Sequence, residues 1–387
     1  MSIWSRLVGQ QKVVEQLQAA VASAHSFQDS NPNAMTHAWL FTGPPGAGRS
    51  TAAILFAAAL VCNAGGCGVC ETCEAVLMDR FPDVERFIPQ QITITRDEAE
   101  NLIGIASLMP ARSKYRVIVV EDADRLSEVS GNMLLKSIEE PAESVVWILC
   151  TPSMDDVLAT IRSRTRTITL ATPTWQDVRD LLITEGISTA IAAFAAKASA
   201  GHIGKARGLA TSEASRLRRK EILSIPRQLE DLGSCFRSAK EIVERATEEA
   251  NLEMDALDET EKEALMQSYG ATLGGRGKAE RAARPALKDL ETRQKSRRTR
   301  AVRDRLDGAL VDLMTYYRDV LLLQMVGSDA ELINEELKHE IIETANTSTP
   351  IKTRTRLEAI EKARRQFASN AQPLMILETL TIELARA

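Results

Sequence analysis

The residues richest in chemistry begin with Gly43-Pro44-Pro45-Gly46-Ala47-Gly48-Arg49-Ser50, followed by Thr51, which stands between a short apolar run and a helix-patterned stretch. Glycines in that setting let backbone N–H groups close around phosphate oxygens at a helix N-terminus. The spacing is that of G-x-x-x-x-G-K-[ST] with one departure: Arg49 replaces the lysine that acts as a compact charge on the phosphates. ATP or ADP with Mg2+ is the expected ligand, and its hydrolysis is a separate matter. An acidic pair, Glu121-Asp122, closes the apolar run Val117 to Val120, where Mg2+ is held and a water activated beside a phosphate loop. The usual order in ring ATPases is Asp then Glu. Reversed, Glu121 is one methylene too long for the metal and Asp122 one too short for the base, and misplacement near ~1 Å can cost about 10²-fold in rate. Both departures argue for weak turnover.

Two further polar positions belong to this set. Thr151, just past another apolar run, either orients a water near the γ-phosphate or caps a strand end. Ile161-Arg162-Ser163-Arg164-Thr165 offers arginines at the edge of the domain, which either reach a neighbouring subunit's phosphates or lie solvated on a basic strand.

Cys62, Cys67, Cys70 and Cys73 form C-x4-C-x2-C-x2-C, with Gly65, Gly66 and Gly68 for tight turns. Four thiolates can close a tetrahedron around Zn2+, leaving no open position for water, so the metal is expected to be structural. An iron–sulfur cluster would want proline after the fourth cysteine, and Glu74 follows Cys73. Cys150 and Cys235 read as core thiols.

The elements that must position these groups are legible in part. Ala38 to Thr42, Arg116 to Val120 and Val145 to Cys150 read as short buried strands separated by helix patterns. That is the sign of an α/β domain with a parallel sheet whose site lies beyond the strands' carboxyl ends. Residues 1–171 are expected to form this nucleotide-binding domain. Residues 172–210, alanine-rich and punctuated by Gly186, Gly201, Gly204 and Gly208, are expected to form a small helical lid. Residues 211–387 are expected to be all-α. Within them Glu241 to Glu263 carries ten acidic and two basic residues, and Ala271 to Arg305 twelve basic and four acidic. A glycine-rich turn between them predicts a helical hairpin over about 240–305, whose arms either pair or present solvated faces, with the basic arm a candidate for DNA.

Composition bounds the rest. The 387 residues are 44% hydrophobic and 26% charged, which excludes a disordered chain or a lone small module. The net charge of −5 means that any attraction to nucleic acid is local. The longest apolar run, Ala52 to Cys62, is far short of the ~20 residues of a membrane span. The N-terminus lacks a signal pattern, and a cytoplasmic location without membrane contact is expected.

Taken in order, Leu7-Val8-Gly9-Gln10, the phosphate loop, the four-cysteine module, the acidic strand end, Thr151 and Ser163-Arg164 resemble the clamp-loader subunits of bacterial DNA polymerase III, over about the first ~210 residues. The altered loop and acidic pair look more like the delta-prime subunit than the gamma/tau motor. The resemblance implies an AAA+ domain, a helical lid, and a C-terminal collar that holds a hetero-oligomeric ring. It implies gamma/tau, delta, the sliding clamp and primed DNA as partners. It implies that Val8 and Gly9 pack on the adenine, that Gly43 to Thr51 hold phosphate, and that Arg164 acts in trans on a neighbour's ATP. Thr165 stands where the family has cysteine, and the family's second sensor arginine falls near Gly204, with Lys205 or Arg207 as substitutes. The implied function is a rigid subunit that hydrolyses little ATP itself. The alternatives are an autonomous AAA+ ATPase remodelling DNA or protein, the gamma/tau motor itself, and a zinc-bearing nucleic-acid-binding module.

Overall fold

The computed structural model describes residues 2–25, 31, 33–44, 46–89, 93–271, 275, 277–367 and 371–386. The chain divides into two compact units, Met1–Ala210 and Thr211–Ala387.

The first unit is built on five parallel strands: β1 (Ala38–Thr42), β2 (Val84–Phe87), β3 (Arg116–Val120), β4 (Val145–Thr151) and β5 (Arg166–Thr169), in the spatial order β2-β3-β4-β1-β5. The three central strands are buried at every position, as continuous β-branched and aromatic runs require when helices cover both faces. α1 (Gln11–Ala24) precedes the sheet, and the crossovers carry α2 (Arg49–Val61), α3 (Glu71–Leu77), α4 (Arg96–Ala106), α5 (Glu128–Glu139) and α6 (Ala159–Arg162). One apolar cluster joins α1, α2 and one sheet face around Trp39, Phe41 and Phe56; a second joins α4, α5 and the other face around Leu102, Leu134 and Trp147. α2 is apolar nearly all round because it lies between the sheet, α1 and the cysteine segment, and its alanines allow that close approach. α4 opens with the expected capping box, in which Thr95 accepts from the Glu98 N–H and Glu98 from the Thr95 N–H.

Two expectations are corrected here. β2 and β5, reading VERF and RTIT, escape notice in the sequence because charged and polar residues fill edge strands only partly buried. Thr151 is the last residue of β4, paired with Thr42, and not a residue beyond it. After the sheet come α7 (Trp175–Thr184), α8 (Thr189–Ala198) and α9 (Ile203–Thr211). Gly186 and Gly201 break this region at positive φ, but Gly204 and Gly208 lie inside α9 and interrupt nothing.

The second unit contains α10 (Glu213–Ser224), α11 (Leu232–Ser268), α12 (Lys278–Val326), α13 (Lys338–Thr347), α14 (Pro350–Phe367) and α15 (Pro373–Arg386). Its core gathers Leu306, Leu310, Leu313, Tyr316 and Val320 of α12 with Ile360 and Leu377 of α14 and α15. The charged arms do pair: Arg297 bonds Asp258 and Glu261, Arg298 bonds Asp255 and Asp258, and Arg305 bonds Glu253 and lies 3.7 Å from Glu249. Gln294 donates to the Asp258 carbonyl at 2.9 Å across the same seam. The helices overrun the expected hairpin at both ends. Part of the glycine-rich turn lies outside the described residues. Among those described, no helix is long and apolar enough to cross a membrane.

Candidate functional site

The loop after β1 has the backbone that its glycines dictate. A Cβ on Gly43 (φ +153°) would sit 2.5 Å from the Leu170 carbonyl oxygen, so the loop's start can lie flush on the exit of β5 only as glycine. Gly46 (φ +85°) is covered by the His202 ring, whose Cγ lies 2.5 Å from where a Cβ would be. Pro44, Ala47, Gly48, Arg49, Ser50 and Thr51 follow the expected course, with α2 beginning at Arg49 behind a left-handed Gly48; Pro45 lies outside the described residues. The N-terminal segment reaches the loop through Gln10, a buried residue. Its amide donates to the Ala171 carbonyl at 2.5 Å and to the Ala47 carbonyl at 3.4 Å, and accepts from the Ala171 N–H at 3.1 Å. Val8 and Gly9 immediately precede it. Gly9 (φ +68°) packs against Pro173 and Asp177 at the entry to α7.

The charged groups of this site face each other more than they face an open cleft. The Arg49 guanidinium bonds back to the Gly43 carbonyl of its own loop. Ser50 Oγ donates to Glu121 Oε2, and Arg86 on β2 grips Glu121 Oε1 with Nε at 3.1 Å and Nη2 at 3.0 Å. Only 7% of the Glu121 side chain is exposed. Both carboxylate oxygens, and the hydroxyl beside them, are therefore occupied by protein at the place where a phosphate loop and its acidic strand end would share Mg2+. These residues, so arranged, do not fit the ion. Asp122, at φ +48°, takes a left-handed conformation that aspartate tolerates better than most residues. Its carboxylate pairs with Arg125 at 3.5 Å. Burial, with the Asp122 charge beside it, pushes the Asp124 carboxyl up. Thr151 is fully buried, and its hydroxyl donates to the Ser153 carbonyl at 2.7 Å, which is the strand-end cap of the two readings.

In α9, Gly204 offers no side chain, and Arg207 is taken up by Glu185, with Nε 3.0 Å from both of its oxygens. The side chain over the loop is instead His202. Arg164 follows α6 at the rim, not on a basic strand. Its Nε lies 3.0 Å from Glu139 Oε2, Nη1 donates to the Thr160 carbonyl at 2.9 Å, and a third of the side chain is exposed (34%). An exposed pair of this kind is worth about 0–1 kcal/mol, so little restrains Arg164 from another anion.

The four cysteines converge between the end of α2 and the start of α3. All four sulfurs lie within 4.8 Å of one another, with Cys62 Sγ 3.9 Å from Cys67 Sγ and 3.7 Å from Cys70 Sγ. A tetrahedral ion with Zn–S bonds of ~2.3 Å requires sulfurs about 3.8 Å apart, so the cluster fits such a metal. Burial pushes the Cys62 thiol up, but the N–H groups of Cys67, Gly66 and Ala64 outweigh it and bring the thiol down to about 6. Burial and the neighbouring Cys70 and Cys62 push Cys73 up. Four thiolates at this spacing repel unless a cation sits among them. Cys150 and Cys235 are buried single thiols.

Comparison with known proteins bears on these features together. A family model described as DNA polymerase III, delta subunit, matches residues 10–174, from Gln10 through the loop, the cysteines and Arg164 to Thr174 before α7. Residues 10–174 belong to the clamp-loader family of bacterial DNA polymerase III. The chain is 31% identical over 175 residues to the gamma/tau subunit of Mycobacterium tuberculosis (42% of this chain, 27% of that protein). It is 35% identical over 132 residues to Escherichia coli tau (33% and 20%), and 29% identical over 157 residues to the Bacillus subtilis delta-prime subunit (40% and 48%). The matched stretch thus spans 20% to 48% of these relatives' lengths. A gamma-subunit-related protein of Thermotoga maritima aligns over 90% of this chain and 93% of its own at a TM-score of 0.41 and 14% identity. The AAA+ assignment of this clamp-loader domain rests on its own strand order and phosphate loop.

Arg86 and His202 are the site residues that sequence reasoning missed, and Gln10, the last residue of the N-terminal motif, is given no role there. Gln10 carried one signal, an amide side chain directly before an apolar-periodic helix. Arg86 and His202 carried none, since only the sheet order and the packing of the residues before α9 bring them to the loop.

Proposed function

We propose that this chain is a delta-prime-type subunit of the DNA polymerase III clamp loader. It is a largely rigid member of a ring with gamma/tau and delta subunits, helping to load the sliding clamp on primed DNA. Its domains are the AAA+ domain of residues 1–171, the lid of 172–210 and a helical collar of 211–387. The cysteine cluster holds a structural Zn2+. The observation that carries the reading is the closure of its own pocket: Glu121 is held between Arg86 and Ser50, and Arg49 is folded back on Gly43. Metal-assisted hydrolysis within the chain is thereby weak or absent, and nucleotide binding, if it persists, runs through Val8, Gly9 and the loop Gly43 to Thr51. Arg164 serves the adjoining subunit, where a guanidinium stabilises charge on the transferring phosphoryl group in trans.

The test is Arg164→Ala in the assembled loader with clamp and primed template. Loss of a trans-acting arginine lowers turnover at the affected site by about 10³- to 10⁵-fold, so DNA-stimulated hydrolysis falls by that one site's share. Unchanged hydrolysis in the variant assembly overturns the assignment. A second reading, the gamma/tau motor, is favoured by the identities of 31% and 35% to gamma/tau and tau proteins. It requires steady hydrolysis by the purified chain that disappears in Asp122→Asn.

A further inference from the structure

Pairing of the hairpin arms takes up some basic residues of α12 and leaves others without an acidic partner among the described residues. Arg297, Arg298 and Arg305 are consumed by the acids of α11, and Arg300 lies 4.0 Å from Asp304 one turn on. Lys278, Arg281, Arg284, Lys288, Arg293, Lys295 and Arg303 have no acidic partner within 4.0 Å among the described residues; of these Arg281, Arg284, Lys288 and Lys295 are exposed on one face, whereas Lys278 and Arg303 lie further round the helix and Arg293 on the opposite side. The four on the shared face form a stripe. At about 100° per residue they fall within an arc of about 60°, some 80–140° round the helix from Gln294, which faces α11. At about 1.5 Å rise per residue the stripe runs ~21 Å along the helix. Glu291 lies at its edge and forms no ion pair among the described residues. Thr292 and Thr299, exposed near the same face, hold their hydroxyls on the carbonyls of Lys288 and Lys295.

We infer that this stripe is a docking surface for the sugar–phosphate backbone of double-stranded DNA, independent of base sequence. Charge complementarity is the first reason. Glu249, Glu253, Asp255, Asp258 and Glu261 of α11 are engaged at the inner seam, so the outer stripe keeps about four positive charges without an acidic partner among the described residues, on a chain of net charge −5. Chemistry narrows the partner further. Between residues 278 and 305 no large apolar side chain is exposed among the described residues, so an apolar protein partner finds no anchor. The same stretch contains no aromatic residue, whereas proteins that grip single strands rely on stacking platforms. What remains is a row of cations along one helix, which carries Pro285 between Arg284 and Lys288. At regular helical rise they are spaced about 4.5, 6 and 10.5 Å along the axis, which suits the regular phosphates of a duplex and reads no bases.

The experiment uses the full-length chain and a fluorescent 20-base-pair duplex of arbitrary sequence, titrated by anisotropy across a salt series. Four phosphate contacts give a log–log salt slope of about −3.6, so affinity falls roughly 10²-fold between 50 and 200 mM salt. Replacing Arg281, Arg284, Lys288 and Lys295 together by glutamine abolishes that slope, while replacing Arg281 and Arg284 by lysine keeps it. Circular dichroism verifies that helicity is unchanged, as expected for exposed positions outside the seam. The inference fails if the glutamine variant keeps both affinity and slope. It fails equally if a single-stranded oligonucleotide or polyglutamate binds as tightly as the duplex.

Discussion

Arg86→Ala tests the closure of the nucleotide pocket at its weakest point. The guanidinium makes two charge-assisted bonds, at 3.0 and 3.1 Å, to one oxygen of a nearly buried carboxylate. Such bonds contribute about 1.5–3 kcal/mol each in favourable settings. With 31% of the Arg86 side chain exposed, solvent reduces the pair to about 2 kcal/mol in total. A divalent ion entering between Ser50 and Glu121 must first displace this pair, which weakens its binding by roughly 30-fold at 1.4 kcal/mol per decade. In the wild-type chain, affinity for a fluorescent ATP analogue is therefore nearly the same with Mg2+ as with chelator. In Arg86→Ala, Mg2+ strengthens binding by about 10- to 100-fold. The variant also leaves Glu121 buried without its cation, lowering stability by about 2 kcal/mol in denaturant melts. Equal dependence on Mg2+ in both proteins would refute the idea that Arg86 occupies the ion's place.

Two further outcomes follow from the cysteine cluster and the hairpin. The purified chain should carry one zinc per molecule by elemental analysis, and stripping it with a chelator should lower the melting temperature by several degrees, because metal affinity in a closed site is folding free energy. A stripped chain that melts unchanged would leave the four thiols without a structural metal. Asp258, of which 1% of the side chain is exposed, is pushed up by burial, but the Arg297 and Arg298 guanidinium groups outweigh this and hold it below the usual carboxylate range. A carboxyl depressed in the folded state contributes stability that is complete above its unfolded value near ~4 and is lost as pH falls through the folded value. Asp258→Asn is thus expected to cost about 2–3 kcal/mol at pH 7, with the gap to wild type closing in urea melts taken progressively below pH 4. A gap constant across that range would show that the ion pairs contribute nothing.

Much of the site was legible in local sequence because its parts are themselves local. The glycines of the loop act on their own backbone, the Thr95 and Glu98 cap spans three residues, and four cysteines within one turn-rich segment reach a common centre whatever surrounds them. The same holds for Ala38 to Thr42 and Arg116 to Val120, whose unbroken apolar runs can only be central strands. Long-range pairing decided the remainder. Val84–Phe87 is a strand because β3 accepts it at the sheet edge, and that register delivers Arg86 to Glu121. His202 reaches Gly46 only through the packing of the residues before α9 on the loop. The charge split of the hairpin predicted complementary arms, but not which arginines the seam would consume. That depends on the helical phase of two long helices packed together, which leaves Arg297 and Arg298 inside and the stripe from Arg281 to Lys295 facing solvent.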